Sequence, residues 1–254
     1  MSKAAKSAKP QRAAGVSIWN AIVQEEADDS LTRKQIIGAG IAIADEDGLD
    51  AVSIRRIAAQ LGASPMALYH YVPSKRDLLN LMLDGTYAEF AWPAQVPRDW
   101  RDVLLHYAWE CRRCLKQHAW VSLLQASDPE YGPQCIRILE WMLSSLSDFG
   151  LDVAISIRII GVLFVFVNGF VATESWDSAL SKAKRPKVPG RRPNFSKAIL
   201  NTGRYPHVQQ FVSMGAELPD DEGFARSLDW ILNGFASEIH PRAAVALSKR
   251  KKRT

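Results

Sequence analysis

Cysteine is scarce. Cys111, Cys114 and Cys135 are the three in 254 residues, an odd number without the spacing of a disulfide framework, which points to a reducing compartment and excludes a stapled secreted scaffold. The lysines near the N-terminus are not followed by an apolar run of signal-peptide length, so a cytoplasmic protein is expected. Long apolar runs are missing too. The closest, Val153 to Ala172, contains Arg158 and Asn168 and is interrupted by Gly161 and Gly169, so it reads as a helix buried on most sides and not as a membrane span. No strand-like alternation or internal repeat stands out, which leaves an all-α chain. There is no Gly-x-Ser-x-Gly elbow, no phosphate-cradling glycine loop and no pair of carboxylates in an apolar setting. Catalytic residues are therefore not assigned, and an enzyme is not expected.

What is present begins with charge. The net charge is +5 and the pI near 9.1, but Lys3, Lys6, Lys9 and Arg12 open the chain and Lys249, Arg250, Lys251, Lys252 and Arg253 close it, leaving the remainder slightly acidic. Such ends are expected to be solvated arms, with the N-terminal one suited to phosphate or a minor groove. An apolar fraction of 47% is ample for a buried core.

The stretch Val52 to Leu79, VSIRRIAAQLGASPMALYHYVPSKRDLL, spells two short helices joined by a glycine turn and the start of a third. Ser53 caps the first, with Ile54, Ile57, Ala58 and Leu61 inward, and Gly62 stops it. Ser64 and Pro65 open the second, held to the core by Leu68 and Val72. Ser74 and Asp77 have capping-box spacing for the third. A short helix, a glycine turn and another short helix is the helix-turn-helix unit, which lays its second helix in the DNA major groove. Met66, Ala67, His70 and Tyr71 point away from Leu68. Ala67 and Met66 suit thymine methyls, while Tyr69, Tyr71 and Lys75 have the reach for phosphates. The competing role for both tyrosines is packing.

The rest of the chain divides by composition. Residues 1–30 form a basic arm in which Ile18, Trp19, Ile22 and Val23 have the makings of a brief docking helix. A DNA-binding domain spans 31–91, its first helix capped by Thr32 with Gln35 and buried along Ile36, Ile37, Gly40, Ile41 and Ala44. Trp92-Pro93 and Pro97 mark a boundary. A helical ligand-binding and dimerisation domain covers 92–240, with a basic proline-bearing loop over 181–193, and a basic tail closes 241–254. Cys111 and Cys114 share a helical face with His118, but a second ligand pair is missing, so they read as small core hydrophobes and no metal is assigned. Aromatic residues and stranded polar groups on the later helices are the candidates for a cavity: Met82, His106, Trp109, Trp120, Gln125, Trp141, Phe164 and Asn168, with Glu174 and Arg158 behind them. Helices 152–176 and 224–235 are the most apolar, and a single domain would leave part of them exposed, which points to a homodimer.

This order of residues resembles the tetracycline-repressor (TetR) family of bacterial regulators. LTRKQIIGAGIAIADEDGLDAVS, IRRIAAQLG, SPMALYHYV and PSKRDLLNLM, from Leu31 to about Phe90, carry the resemblance, and GRYPHVQQF before FARSLDWILNGF is similar to the branch with the tetracycline-repressor-like ligand domain. The resemblance implies that Arg55 reaches a guanine edge. With Pro65, Met66, Ala67, Tyr69, His70, Tyr71 and Lys75 it completes the expected DNA-binding set. The recognition helix has no long donor of its own apart from His70, a departure from readers with Gln or Arg there. The resemblance further implies a repressor of double-stranded DNA, released from a palindromic operator by a small hydrophobic or aromatic effector, with no cofactor. The alternative is a helical small-molecule-binding or protein-interaction module that has lost sequence-specific DNA binding.

Overall fold

Local chemistry fixes where the first helices begin and end. In the computed structural model, which describes residues 18–19, 30–95, 97–182, 197–213 and 220–251, α1 (Ser30–Asp47) starts two residues before the expected Thr32 cap. Gly48 ends it at φ 86°, a conformation that penalises a Cβ, and a 3-10 turn (Leu49–Ala51) follows. The Ser53 hydroxyl oxygen accepts from the Arg56 amide to start α2 (Ile54–Gln60), and that of Ser64 accepts from the Ala67 amide to start α3 (Pro65–Tyr71). Gly62 turns between them at φ 65°. Leu61, expected inward, caps α2 and is exposed. Ser74 starts α4 (Lys75–Tyr87) by accepting from the Asp77 amide at 3.1 Å and donating its hydroxyl to the Asp77 carboxylate at 2.7 Å.

Beyond the boundary come α5 (Trp100–Gln117), α6 (Val121–Gln125), α7 (Pro133–Asp148), α8 (Val153–Lys182), α9 (Lys197–Leu200), α10 (Pro206–Ser213) and α11 (Asp221–Lys251). The chain is all-helical, with no strand among the described residues. Helix α4 packs on both α1 and α7, while α5 lies along α8. Ile18 is buried against this body, while Ile22, Val23 and most of the 181–193 loop lie outside the described residues. Helix α11 continues to Lys251, through most of the stretch expected as a basic tail.

Two buried groups tie α11 down. Arg112, 3% exposed, donates to both Glu174 oxygens at 3.1 and 2.5 Å and to Asp221 at 2.6 Å, joining α5, α8 and α11. Its guanidinium also lies 4.7 Å from the ring centroid of Phe224, which is fully buried among Trp109, Phe166 and Phe170. Helix α8 departs from expectation. It runs through Gly161 and Gly169, where a Cβ would meet open space, and Val153–Glu174 is long and apolar enough to cross a membrane by length and composition. It is not buried on most sides, because Val153, Ile157, Val162 and Val165 are exposed in the single chain.

Candidate nucleic-acid interface and effector cavity

Helix α3 is short and has one buried side chain, Leu68. The rest of it is offered outward. Met66 is 70% exposed and Tyr69 48% exposed; Pro65, Ala67 and His70 are exposed, as are Arg55 on α2 and Lys75 at the start of α4. Tyr71 is different: it is half-buried and packs on the core, so of the two tyrosines one faces out and one supports the head. Arg56, beside Arg55, is paired with Asp47, which leaves Arg55 as the exposed guanidinium of α2 that meets no carboxylate among the described residues.

A second feature lies at the far end of α4. A cavity of about 160 Å³ is lined by Thr86 and Tyr87 at the end of α4 and Phe90 just beyond it, by Tyr107, Cys111 and Cys114 of α5, by Val121 and Gln125 of α6, by Cys135, Ile138 and Met142 of α7, and by Ile160, Phe164, Val167 and Asn168 of α8. Its wall is mostly apolar. Burial pushes the Cys111 thiol up to about 12 and those of Cys114 and Cys135 up to about 11, so all three stay protonated near neutral pH. Burial likewise holds the Tyr87 and Tyr107 phenols well above their ordinary value. Glu110 and Arg113 also reach the wall but are joined to each other at 3.0 Å. Among the described residues no cluster of three or more His, Cys, Asp or Glu side chains is arranged to hold a metal ion.

Known proteins share this sequence pattern. A model of the bacterial regulatory proteins, tetR family, matches residues 36–82, and one of the tetracyclin repressor-like C-terminal domain matches residues 92–239. The chain belongs to the TetR family. The HTH-type transcriptional repressor DrrR1 of Streptomyces coeruleorubidus is 31% identical over 219 residues, covering 81% of this chain and 77% of that protein. The class A tetracycline repressor of transposon 1721 from Escherichia coli is 27% identical over 204 residues, 79% of this chain and 88% of that one. Apo ActR from Streptomyces coelicolor shares the fold at a TM-score of 0.64 and 21% identity, covering 87% of this chain and all of that one. As a TetR-family member the chain is a DNA-binding transcriptional regulator with a helical ligand-binding domain.

In this TetR-family chain three of the expected lining residues, Gln125, Phe164 and Asn168, meet at the cavity, and five do not. Met82 is fully buried under Gly40 and Ile57 in the DNA-domain core. Trp120 is buried at the junction of the two halves, its indole N–H donating to Asp45 at 2.7 Å. Trp109 is spent on Phe224. His106 and Trp141 belong to an aromatic cluster with Phe90 and Trp92, and the His106 ring is bonded to the Ala91 carbonyl at 2.6 Å. In each case a packing partner takes the side chain away from the space. Sequence reasoning missed Tyr87 and Tyr131 and set the cysteines aside as core; they come from different elements than Gln125 and Asn168, and only the fold brings them together.

The sequence also gave no sign of the contacts between the halves. His118, 2% exposed, caps α5 and faces Asp45 of α1 at 2.8 Å through Nδ1 and Glu89 at 3.2 Å through Nε2. Arg113, on the cavity wall, donates to the Glu89 carbonyl at 2.7 Å. A bonded path therefore runs from cavity wall to α1.

Proposed function

We propose that this chain is a homodimeric repressor of the bacterial cytoplasm, released from a palindromic operator when an uncharged, hydrophobic or aromatic small molecule occupies the cavity between α4, α5, α7 and α8. In this reading residues 31–91 are the reading head, residues 92–240 bind effector and partner, and the ends at 1–30 and 241–254 are basic. Arg55, Pro65, Met66, Ala67, Tyr69, His70 and Lys75 meet DNA, with Tyr71 holding α3 in place. Gln125, Phe164 and Asn168 meet effector, together with Tyr87 and Tyr107.

The observation that carries this reading is the position of the cavity. Thr86, Tyr87 and Phe90 close it at one end of α4, and Ser74 joins the other end directly to α3. An effector that prefers a shifted α4 therefore changes where the recognition helix sits. Differential affinity of about 1.4 kcal/mol between the two states empties the operator tenfold. Fold neighbours lend support, since ActR has been solved with actinorhodin at a TM-score of 0.64 and 21% identity. The exposed apolar faces of α8 and of α11, where Trp230 is 67% exposed, support a dimer through 152–176 and 224–235.

The test is operator affinity on the chain's own promoter region. Arg55→Ala is expected to cost about 1–3 kcal/mol of sequence-selective binding, and Tyr69→Ala to weaken binding with little effect on selectivity, both with unchanged thermal midpoints. Wild-type affinity should fall steeply between low and physiological salt. If both variants bind as wild type does, or if binding is flat with salt, the reading head has been misassigned.

A further inference from the structure

Within the effector reading above, on which this step rests, we infer that the effector is an uncharged molecule of one or two rings that donates a hydrogen bond, from a hydroxyl or N–H, to Oε1 of Gln125. Gln125 closes α6 at the cavity wall. Its Nε2 donates to the Tyr87 hydroxyl at 2.9 Å, and Oε1, at the other end of the amide, is buried with no hydrogen-bond partner among the described residues. A buried acceptor left unpaired is unfavourable, so a ligand donor that reaches it gains what an apolar or acceptor-only ligand of the same shape does not. A site built around one polar group discriminates most strongly against the analogue lacking its complement.

The charge and size follow from the same wall. Glu110 is already engaged by Arg113 and by the Ala91 amide at 2.9 Å, and Arg113 by Glu110 and the Glu89 carbonyl. Neither has a charge to spare for an ion, and the thiols and phenols around them stay neutral. An ionic ligand would leave water for this wall without a counter-charge. A dry cavity of about 150 Å³ in another protein holds benzene, so about 160 Å³ here suits one ring or two fused ones. The contact also couples recognition to response, because the amide that meets the donor is bonded to Tyr87, the last residue of α4.

The experiment is calorimetric titration of the full chain at neutral pH with 2-naphthol, 2-methoxynaphthalene and 2-naphthoate, repeated on Gln125→Leu. Wild type is expected to prefer 2-naphthol over its methyl ether, and that preference is expected to shrink about tenfold in Gln125→Leu, with the ether's own affinity little changed. The naphthoate should bind at least about tenfold more weakly than the naphthol. Equal or tighter binding of the ether or the naphthoate by wild type, a preference that survives in Gln125→Leu, or binding of none of the three probes each overturns the inference. Should Gln125→Leu fail to fold, Gln125→Met takes its place, and the wild-type preference alone remains decisive. Operator release is read on the same samples by mobility shift. Naphthol that binds through Gln125 without releasing operator refutes the release reading and leaves the donor contact standing; release by naphthol and ether alike refutes the contact only.

Discussion

At the scale of single residues, Asp84 holds two opposing forces. It sits on α4, 7% exposed, and its Oδ1 accepts from the Gln134 and Cys135 amides at 3.0 and 3.2 Å, capping the first turn of α7. Those bonds favour the carboxylate, but burial outweighs them and raises the group from 3.8 to about 6. Because the folded value lies above the unfolded one, the stabilisation is complete below about pH 4 and is lost as pH rises through about 6. Asp84→Asn keeps an acceptor at Oδ1 without the buried charge. Thermal midpoints of the two proteins should be close at pH 4 and diverge by pH 7 in favour of Asn, by at most about 3 kcal/mol; curves that stay parallel from pH 4 to 8 would rule this out. Residues like Ser53, Ser64 and Ser74 were legible in the sequence because cap and amide lie three positions apart. Asp84 was not, since its partners are 50 residues away and only the fold brings them there.

At the scale of elements, α1 and α4 approach closely because glycines face the joint. A Cβ on Gly85 would lie 2.8 Å from Cγ2 of Ile37 and 3.2 Å from Cδ1 of Ile41, both β-branched and stiff at χ1. Gly85→Val should pry the two helices apart and cost about 1–3 kcal/mol in denaturant unfolding. Gly38, on α1 with open space around its Cβ position, gives the opposite sign: Gly38→Ala should stabilise by up to about 1 kcal/mol. Equal effects of the two would mean that glycine's helix propensity, and not the close approach, governs this joint. Gly40 was readable as a member of an inward stripe, and the helix-turn-helix and its outward side chains were readable too, since period and turn chemistry are local. The cavity was not readable in the same way. Choosing Gln125 over His106 or Trp141 requires knowing which side chains find partners in neighbouring helices, and His106 and Trp141 find them in Phe90.

At the scale of the whole molecule, the face of α8 that carries Val153, Ile157, Val162 and Val165 demands a cover. Length and composition alone would accept a bilayer. Against that, Arg158 is exposed on the same helix, and Glu174 at its far end is held by the buried Arg112, an arrangement that suits packing on a second helical protein better than lipid. A two-fold copy presents the same stripe, with Gly161 and Gly169 permitting close approach. Val165, 69% exposed in the single chain, becomes the sensitive position. Val165→Glu would place two carboxylates related by symmetry in this otherwise apolar contact, at a cost of several kcal/mol. Sedimentation should show wild-type dimers and variant monomers at micromolar concentration, with the helical content of each chain unchanged. Operator affinity should fall with the dimer, because a lone head makes too few contacts to select a site. A variant that stays dimeric would place the interface elsewhere, and wild type that floats with vesicles instead of pairing in solution would give the stripe to the membrane.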